Sequence, residues 1–180
     1  KGVPAALLSA RLYSAARYHL LTNPDPAEAM NGLNSEISTT GLGHRFITCA
    51  IVVVDTINHE AHLVSAGHLL PIRRRLSGKV DEIDGEDLGL PLGIIPDQKF
   101  VAVTVPIERG DMWLLYTDGV NEARRSQNEW YETKRLIDFV ETGPLEVGNL
   151  VRGIMDDVNS YVDGHAQSDD ICMVGFQRNP

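Results

Sequence analysis

The chain has 180 residues, 43% of them apolar and 23% charged, and a formal net charge of −9. That length supports one domain with a sizeable core, and so ordinary a balance of apolar and charged residues excludes a disordered chain. The acidity, with no basic run longer than Arg73-Arg74-Arg75, argues against a nucleic-acid partner, and no apolar run reaches membrane-spanning length.

In chain order, Pro4 suits the first turn of a helix, where a missing N–H costs little, and Ala, Leu and Arg carry that helix to Leu21. Its apolar residues (Leu7, Leu8, Leu12, Ala15, Ala16) point nearly all round, which predicts packing on two sides. Asn23-Pro24-Asp25-Pro26 breaks it. Ala27, Met30, Leu33 and Ile37 then recur at helical spacing, up to Gly41 and Gly43. Phe46 to Val54 is β-branched and apolar, the texture of a strand covered on both faces. Asn58-His59 reads as a hairpin turn into a strand at Ala61 to Ala66, and Leu69 to Arg75 suggests another strand. Ser77-Gly78 turns the chain, and Asp81 to Asp87 is an acidic surface loop. Leu88 to Gly93 reads as an apolar loop packed against the core.

Phe100 to Val105 alternates as a strand, and Met112 to Tyr116 is a buried strand ending on Thr117-Asp118-Gly119. Two helices follow, one over about Tyr131 to Val140 and one after Pro144 reaching Val158. Ile171 to Phe176 closes the chain as a strand. Helices and strands do not alternate one for one, so the fold class is α+β rather than a doubly wound parallel sheet. Cys49 and Cys172 each lie in a strand-like run and read as buried free thiols, a usage suited to a reducing cytoplasm.

The chain has no Walker phosphate loop, no Gly-x-Gly-x-x-Gly, no Gly-x-Ser-x-Gly, no paired-histidine zinc helix and no Cys-x-x-Cys. Two acidic spots remain. Asp118 follows a buried strand directly and precedes Gly119, so its carboxylate is held rigidly where another group can approach closely. A simple Asp-Gly turn is the alternative. Asp169-Asp170 sets two repelling carboxylates just before an apolar strand, a repulsion that a divalent cation would relieve. A solvated loop is the alternative there. Oxygen donors of this kind suit Mg²⁺ or Mn²⁺ better than zinc.

These spots lie inside longer strings: Lys1-Gly2-Val3-Pro4-Ala5-Ala6-Leu7-Leu8, Phe46-Ile47-Thr48, Ser65-Ala66-Gly67-His68 with Pro71, Leu90-Pro91-Leu92-Gly93, Gly110-Asp111, Leu115 to Val120 with Glu122-Ala123-Arg124, and Ser168-Asp169-Asp170-Ile171. In this order, over almost the whole chain, they resemble the PPM (type 2C) metal-dependent protein phosphatases, in the bacterial SpoIIE/RsbU-like branch. The resemblance implies two stacked antiparallel sheets flanked by helical layers, an αββα sandwich. It implies a two-metal centre holding Mn²⁺ or Mg²⁺, with Asp118 and Asp169 as catalytic metal ligands, Asp170 at the neighbouring acidic position and Gly119 as support. His68 reads as structural. In this family a Gly-Asp-x-x-Gly loop with the bridging aspartate precedes the first string. Residues 1–180 are therefore expected to form a single domain without its N-terminal strands and first metal loop, weakly active alone, with an open sheet edge that invites self-association.

The implied reaction is hydrolysis of phosphoserine or phosphothreonine on a regulatory partner protein, an anti-sigma-factor antagonist within this branch, in the bacterial cytoplasm. An upstream sensor or regulatory domain is expected to act through the first helix at Leu8, Leu12 and Ala16. A non-catalytic phosphatase-like interaction domain is the alternative reading. A metal-dependent nuclease or other phosphodiesterase is a third, disfavoured by the acidic surface.

Overall fold

The computed structural model describes residues 3–39, 46–83 and 89–179, with side chains from Leu8 onward. Lys1, Gly2, the side chain of Leu7, Gly41, Gly43 and residues 84–88, on which some expectations rest, lie outside them. In chain order the elements are α1 (Val3–Thr22), α2 (Pro26–Ser38), β1 (Cys49–Asp55), β2 (Glu60–Ala66), β3 (Ile72–Arg74), β4 (Val80–Glu82), β5 (Val103–Pro106), β6 (Met112–Tyr116), α3 (Asp118–Asn121), β7 (Arg124–Ser126), β8 (Glu129–Trp130), α4 (Glu132–Thr142), α5 (Val147–Val162) and β9 (Met173–Gln177). All named strand pairs are antiparallel, so the α+β class holds. No helix among the described residues is long and apolar enough to cross a membrane.

The chain forms two compact units, one of Lys1–His68 with Gly85–Pro106 and one of Leu69–Asp84 with Ile107–Pro180. The first holds α1, α2 and the sheet β1-β2-β5. Asp25 caps α2 by accepting from the Ala27 N–H at 2.8 Å, and Pro26 opens its first turn. Ala27, Met30, Leu33 and Ile37 are buried together with Ile51, Val64 and Leu92. The buried Asn34 ties the loop after Gly89 to α2: its Nδ2 donates to the carbonyls of Ile95 and Pro96, and its Oδ1 accepts from the Gly93 N–H. Every polar group of that side chain is satisfied, which makes its burial affordable. At Gly67 φ is +66°, and an added Cβ would lie 2.4 Å from Pro91 Cγ, so the Ser65–His68 turn and the Leu90–Gly93 loop fit together only with glycine there.

The second unit holds the sheet β4-β3-β6-β9, the hairpin β7-β8 and helices α3 to α5. Its core gathers Ile72, Leu114 and Tyr116 from the sheet with Leu136 and Val140 of α4 and Leu150, Ile154 and Val158 of α5. Truncating one of the buried Leu or Ile side chains among these to Ala would cost about 2–5 kcal/mol.

Five expectations are corrected. The strand expected from Phe46 begins at Cys49, because Ile47 pairs with Leu92 while Cys49 pairs with Ala66. As an edge strand β1 is half-buried, with Val54 exposed, rather than covered on both faces. Helix α1 is not packed on two sides: Ala15 is buried, but Tyr13, Tyr18 and Leu21 are exposed. Part of the expected acidic loop is strand β4, where Asp81 forms a two-pronged ion pair with Arg73 across the sheet, at 2.9 and 3.0 Å. Finally, Cys172 is exposed and Cys49 half-buried, and burial pushes the Cys49 thiol up to about 11.

Candidate metal centre

Strand β6 reads Met-Trp-Leu-Leu-Tyr, with every residue buried except the half-buried Leu115, and pairs with β9 from Met112↔Gln177 to Tyr116↔Met173. One step beyond the ladder the Thr117 N–H donates to the Cys172 carbonyl at 3.0 Å. The Thr117 hydroxyl extends the join: its Oγ1 accepts from the Cys172 N–H at 2.9 Å and donates to the Asp170 carbonyl at 3.0 Å. The chain then bends into the single turn α3, with the Val120 N–H on the Thr117 carbonyl and the Glu122 N–H on the Asp118 carbonyl.

The backbone of Gly119 lies against the segment that carries the second acidic spot. A Cβ there would sit 2.4 Å from the Asp170 carbonyl oxygen and 3.3 Å from that of Asp169. No residue with a side chain fits without movement of that backbone. From the other side Ser168 Oγ donates to the Glu122 carbonyl at 3.3 Å, Gln167 Nε2 donates to the Asp169 carbonyl at 2.7 Å, and the Asp170 N–H donates to Asp169 Oδ1 at 2.8 Å. Two segments about fifty residues apart in sequence are thus stitched into one short stretch of surface, and Asp118, Asp169 and Asp170 all lie on it.

All three carboxylates are exposed, and none forms an ion pair among the described residues. Other carboxylates of the same unit differ. The Arg73 guanidinium hydrogen-bonded to Asp81 holds that carboxyl below its usual range, and Arg135 does the same for Asp157, which also accepts from Tyr131 Oη at 2.7 Å. Three exposed carboxylates, on backbone fixed by its own hydrogen bonds, are oxygen donors of the kind a hard divalent ion takes. No three His, Cys, Asp or Glu side chains among the described residues stand close enough to enclose an ion by themselves.

The remaining motif residues have other places. Asp111 is fully buried; its Oδ2 accepts from the Glu108 N–H at 3.0 Å, so it caps the turn into β6. Ser65 Oγ accepts from the His68 N–H and donates to the His68 carbonyl, closing the turn after β2. Leu8, Leu12 and Ala16 are half-buried and belong to the first unit, where Leu12 and Ala16 pack on its core. Sequence reasoning gave Thr117 no role, because its partners lie 53 and 55 positions away. The hairpin β7-β8 was missed as well, since its strands are short and wholly exposed.

The sequence pattern of the family described as Stage II sporulation protein E (SpoIIE) matches residues 1–179. The chain belongs to the SpoIIE family. It is 28% identical over 180 residues to the phosphoserine phosphatase RsbU of Bacillus subtilis, covering 99% of this chain and 52% of RsbU. The chain spans about half the length, or less, of the curated relatives it matches. Among solved structures it resembles the SiaA-PP2C domain of Pseudomonas aeruginosa, with a TM-score of 0.82 at 21% identity over 99% of this chain and 72% of that one. It also resembles the Mn-presoaked phosphatase domain of SpoIIE from Bacillus subtilis, with a TM-score of 0.65 at 16% identity over 100% of this chain and 74% of that one. These likenesses put this SpoIIE-family chain in the α+β sandwich fold of PP2C domains.

Proposed function

We propose that the domain to which this chain belongs is a metal-dependent phosphatase that hydrolyses phosphoserine or phosphothreonine on a regulatory partner protein in bacterial signalling. The observation that carries the reading is the stitching of the Asp118 loop to Asp169-Asp170, which brings two segments that carry exposed, unpaired carboxylates against one another. Asp118 and Asp169 would hold Mn²⁺ or Mg²⁺, with Asp170 beside them. Bound divalent ions supply a water of lowered pKa and screen the charge of a phosphate. The chain's own contribution is placement: Thr117 fixes the separation of the two acidic segments, and Gly119 keeps their backbones in contact. Membership of the SpoIIE family and the likeness to RsbU support a phosphoprotein substrate, and within that branch an anti-sigma-factor antagonist is the substrate class we favour. We further propose that residues outside 1–180 complete the ligand set.

The test is phosphopeptide hydrolysis by the full-length protein with Mn²⁺. Asp118→Asn should lower kcat at least 1000-fold at saturating metal while leaving the thermal unfolding midpoint unchanged, a loss of about 4 kcal/mol in transition-state stabilisation. Near-normal turnover by that variant would remove Asp118 from the centre.

A further inference from the structure

Directly after the Asp118 loop the chain forms the hairpin β7-β8, exposed along its whole length. It carries Arg124 and Arg125, and neither forms an ion pair among the described residues. Arg124 Cζ lies 5.7 Å from the centre of the Trp130 ring, which is 48% exposed. Arg124 and Arg125 are adjacent in sequence and carry free positive charge in a chain of net charge −9, whereas Arg73 and Arg135 of the same unit each grip a carboxylate.

The hairpin is firmly mounted. The Tyr131 N–H donates to the Ala123 carbonyl at 2.9 Å, and Tyr161 Oη of α5 donates to the Trp130 carbonyl at 2.7 Å. Behind these anchors the Arg135 guanidinium lies 5.2 Å from the Tyr131 ring centre and 4.8 Å from that of Tyr161, while its nitrogens hold Asp157. Arg124 also borders a cavity of about 100 Å³ whose wall includes Gly119, Ser168 and Val158. Gly119 and Ser168 are the immediate neighbours of Asp118 and Asp169, so Arg124 stands beside the acidic segments.

From this we infer that the hairpin is a docking surface for an acidic segment of the phosphoprotein substrate, with Arg124 and Arg125 pairing to carboxylates that flank the phosphorylated residue. Arginine presents planar donors suited to carboxylates, and fixed aromatic support keeps the Arg124 guanidinium in place when no partner is bound. A rim of this kind sets partner choice and encounter rate rather than the chemical step. The net charge of −9 repels polyanions at large, so the surface suits a short acidic stretch presented by a protein and not an extended nucleic acid. This rests on the phosphatase reading above and adds the character of the substrate.

The experiment uses the full-length protein with Mn²⁺, three phosphoserine peptides that differ only in acidic, neutral or lysine flanks, and p-nitrophenyl phosphate. Peptide Kd is read by fluorescence anisotropy and turnover by phosphate release. The acidic-flank peptide should bind about tenfold tighter than the neutral one at low salt, an advantage that shrinks as salt rises. Arg124→Glu combined with Arg125→Glu should abolish that preference and favour the lysine-flank peptide, with p-nitrophenyl phosphate turnover unchanged. Equal Kd for all three peptides on the unaltered protein would overturn the inference. So would a matching loss of p-nitrophenyl phosphate turnover in the double variant, which would put the arginines at the reacting phosphate. Should the unaltered protein turn over no substrate, the phosphatase reading fails, and the Kd comparison still decides the docking surface.

Discussion

The two compact units use their family strings differently. In the first, Phe46-Ile47-Thr48, Ser65 to His68 and Leu90 to Gly93 meet through main-chain contacts: Ile47 and Leu92 exchange N–H···O bonds at 3.2 and 2.8 Å, and Gly67 seats the Pro91 ring. At these contacts Ile47, Gly67, Pro91 and Leu92 bring apolar side chains or none, and the Ser65 hydroxyl closes its turn. In the second, Leu115 to Arg124 meets Ser168 to Ile171 where the Gly119 backbone lies against the Asp170 carbonyl and the Thr117 and Ser168 hydroxyls donate across, and Asp118, Asp169 and Asp170 are among the side chains left exposed. Close backbone contact thus supports packing in one unit and carries three exposed carboxylates in the other. A motif string is therefore functional by what its backbone holds up, not by being a string.

That contrast can be broken at either end. The larger effect is expected in the first unit. Gly67→Ala puts a Cβ at positive φ against Pro91 and should cost about 2 kcal/mol of stability, a drop of several degrees in the unfolding midpoint, with Mn²⁺ affinity of the folded protein unchanged. A parallel loss of metal affinity would mean that the two kinds of string are not separable. In the second unit Thr117→Val keeps the shape but removes the hydroxyl that bonds Asp170 and Cys172. Outer-shell hydrogen bonds of this sort are worth about 10–100-fold in metal affinity. We expect the low end, about tenfold or 1.4 kcal/mol, with Thr117→Ser restoring it. Calorimetric titration with Mn²⁺ reads this directly, and an unchanged affinity would reduce Thr117 to an ordinary strand-end residue.

Much of this was legible in the sequence, and for a local reason. The spacing of Ala27, Met30, Leu33 and Ile37 after Asp25-Pro26 encodes α2 within a single window, and the run Met112 to Tyr116 followed by Asp118-Gly119 encodes a buried strand with a carboxylate at its end. What was not legible depends on partners far away in the chain. Arg73-Arg74-Arg75 looks like a basic patch, yet Arg73 is paired with Asp81, and Arg74 donates to the carbonyls of Gly143 and Pro144 some seventy positions on. Thr117 is a hydroxyl with no message until residues 170 and 172 arrive beside it. Cys172 sits in an apolar stretch, but it is exposed, because the ladder between β6 and β9 starts one residue later.

The central claim is that Asp118 and Asp169 belong to one metal centre, and it is tested most directly by counting bound Mn²⁺ with electron paramagnetic resonance in the full-length protein and in Asp169→Asn. The account predicts that the substitution weakens Mn²⁺ binding more than tenfold, and that without metal the variant is as thermostable as the parent, because the Asp169 carboxylate is exposed and forms no ion pair among the described residues. Unchanged Mn²⁺ binding, or a variant that loses stability in the absence of metal, would contradict it.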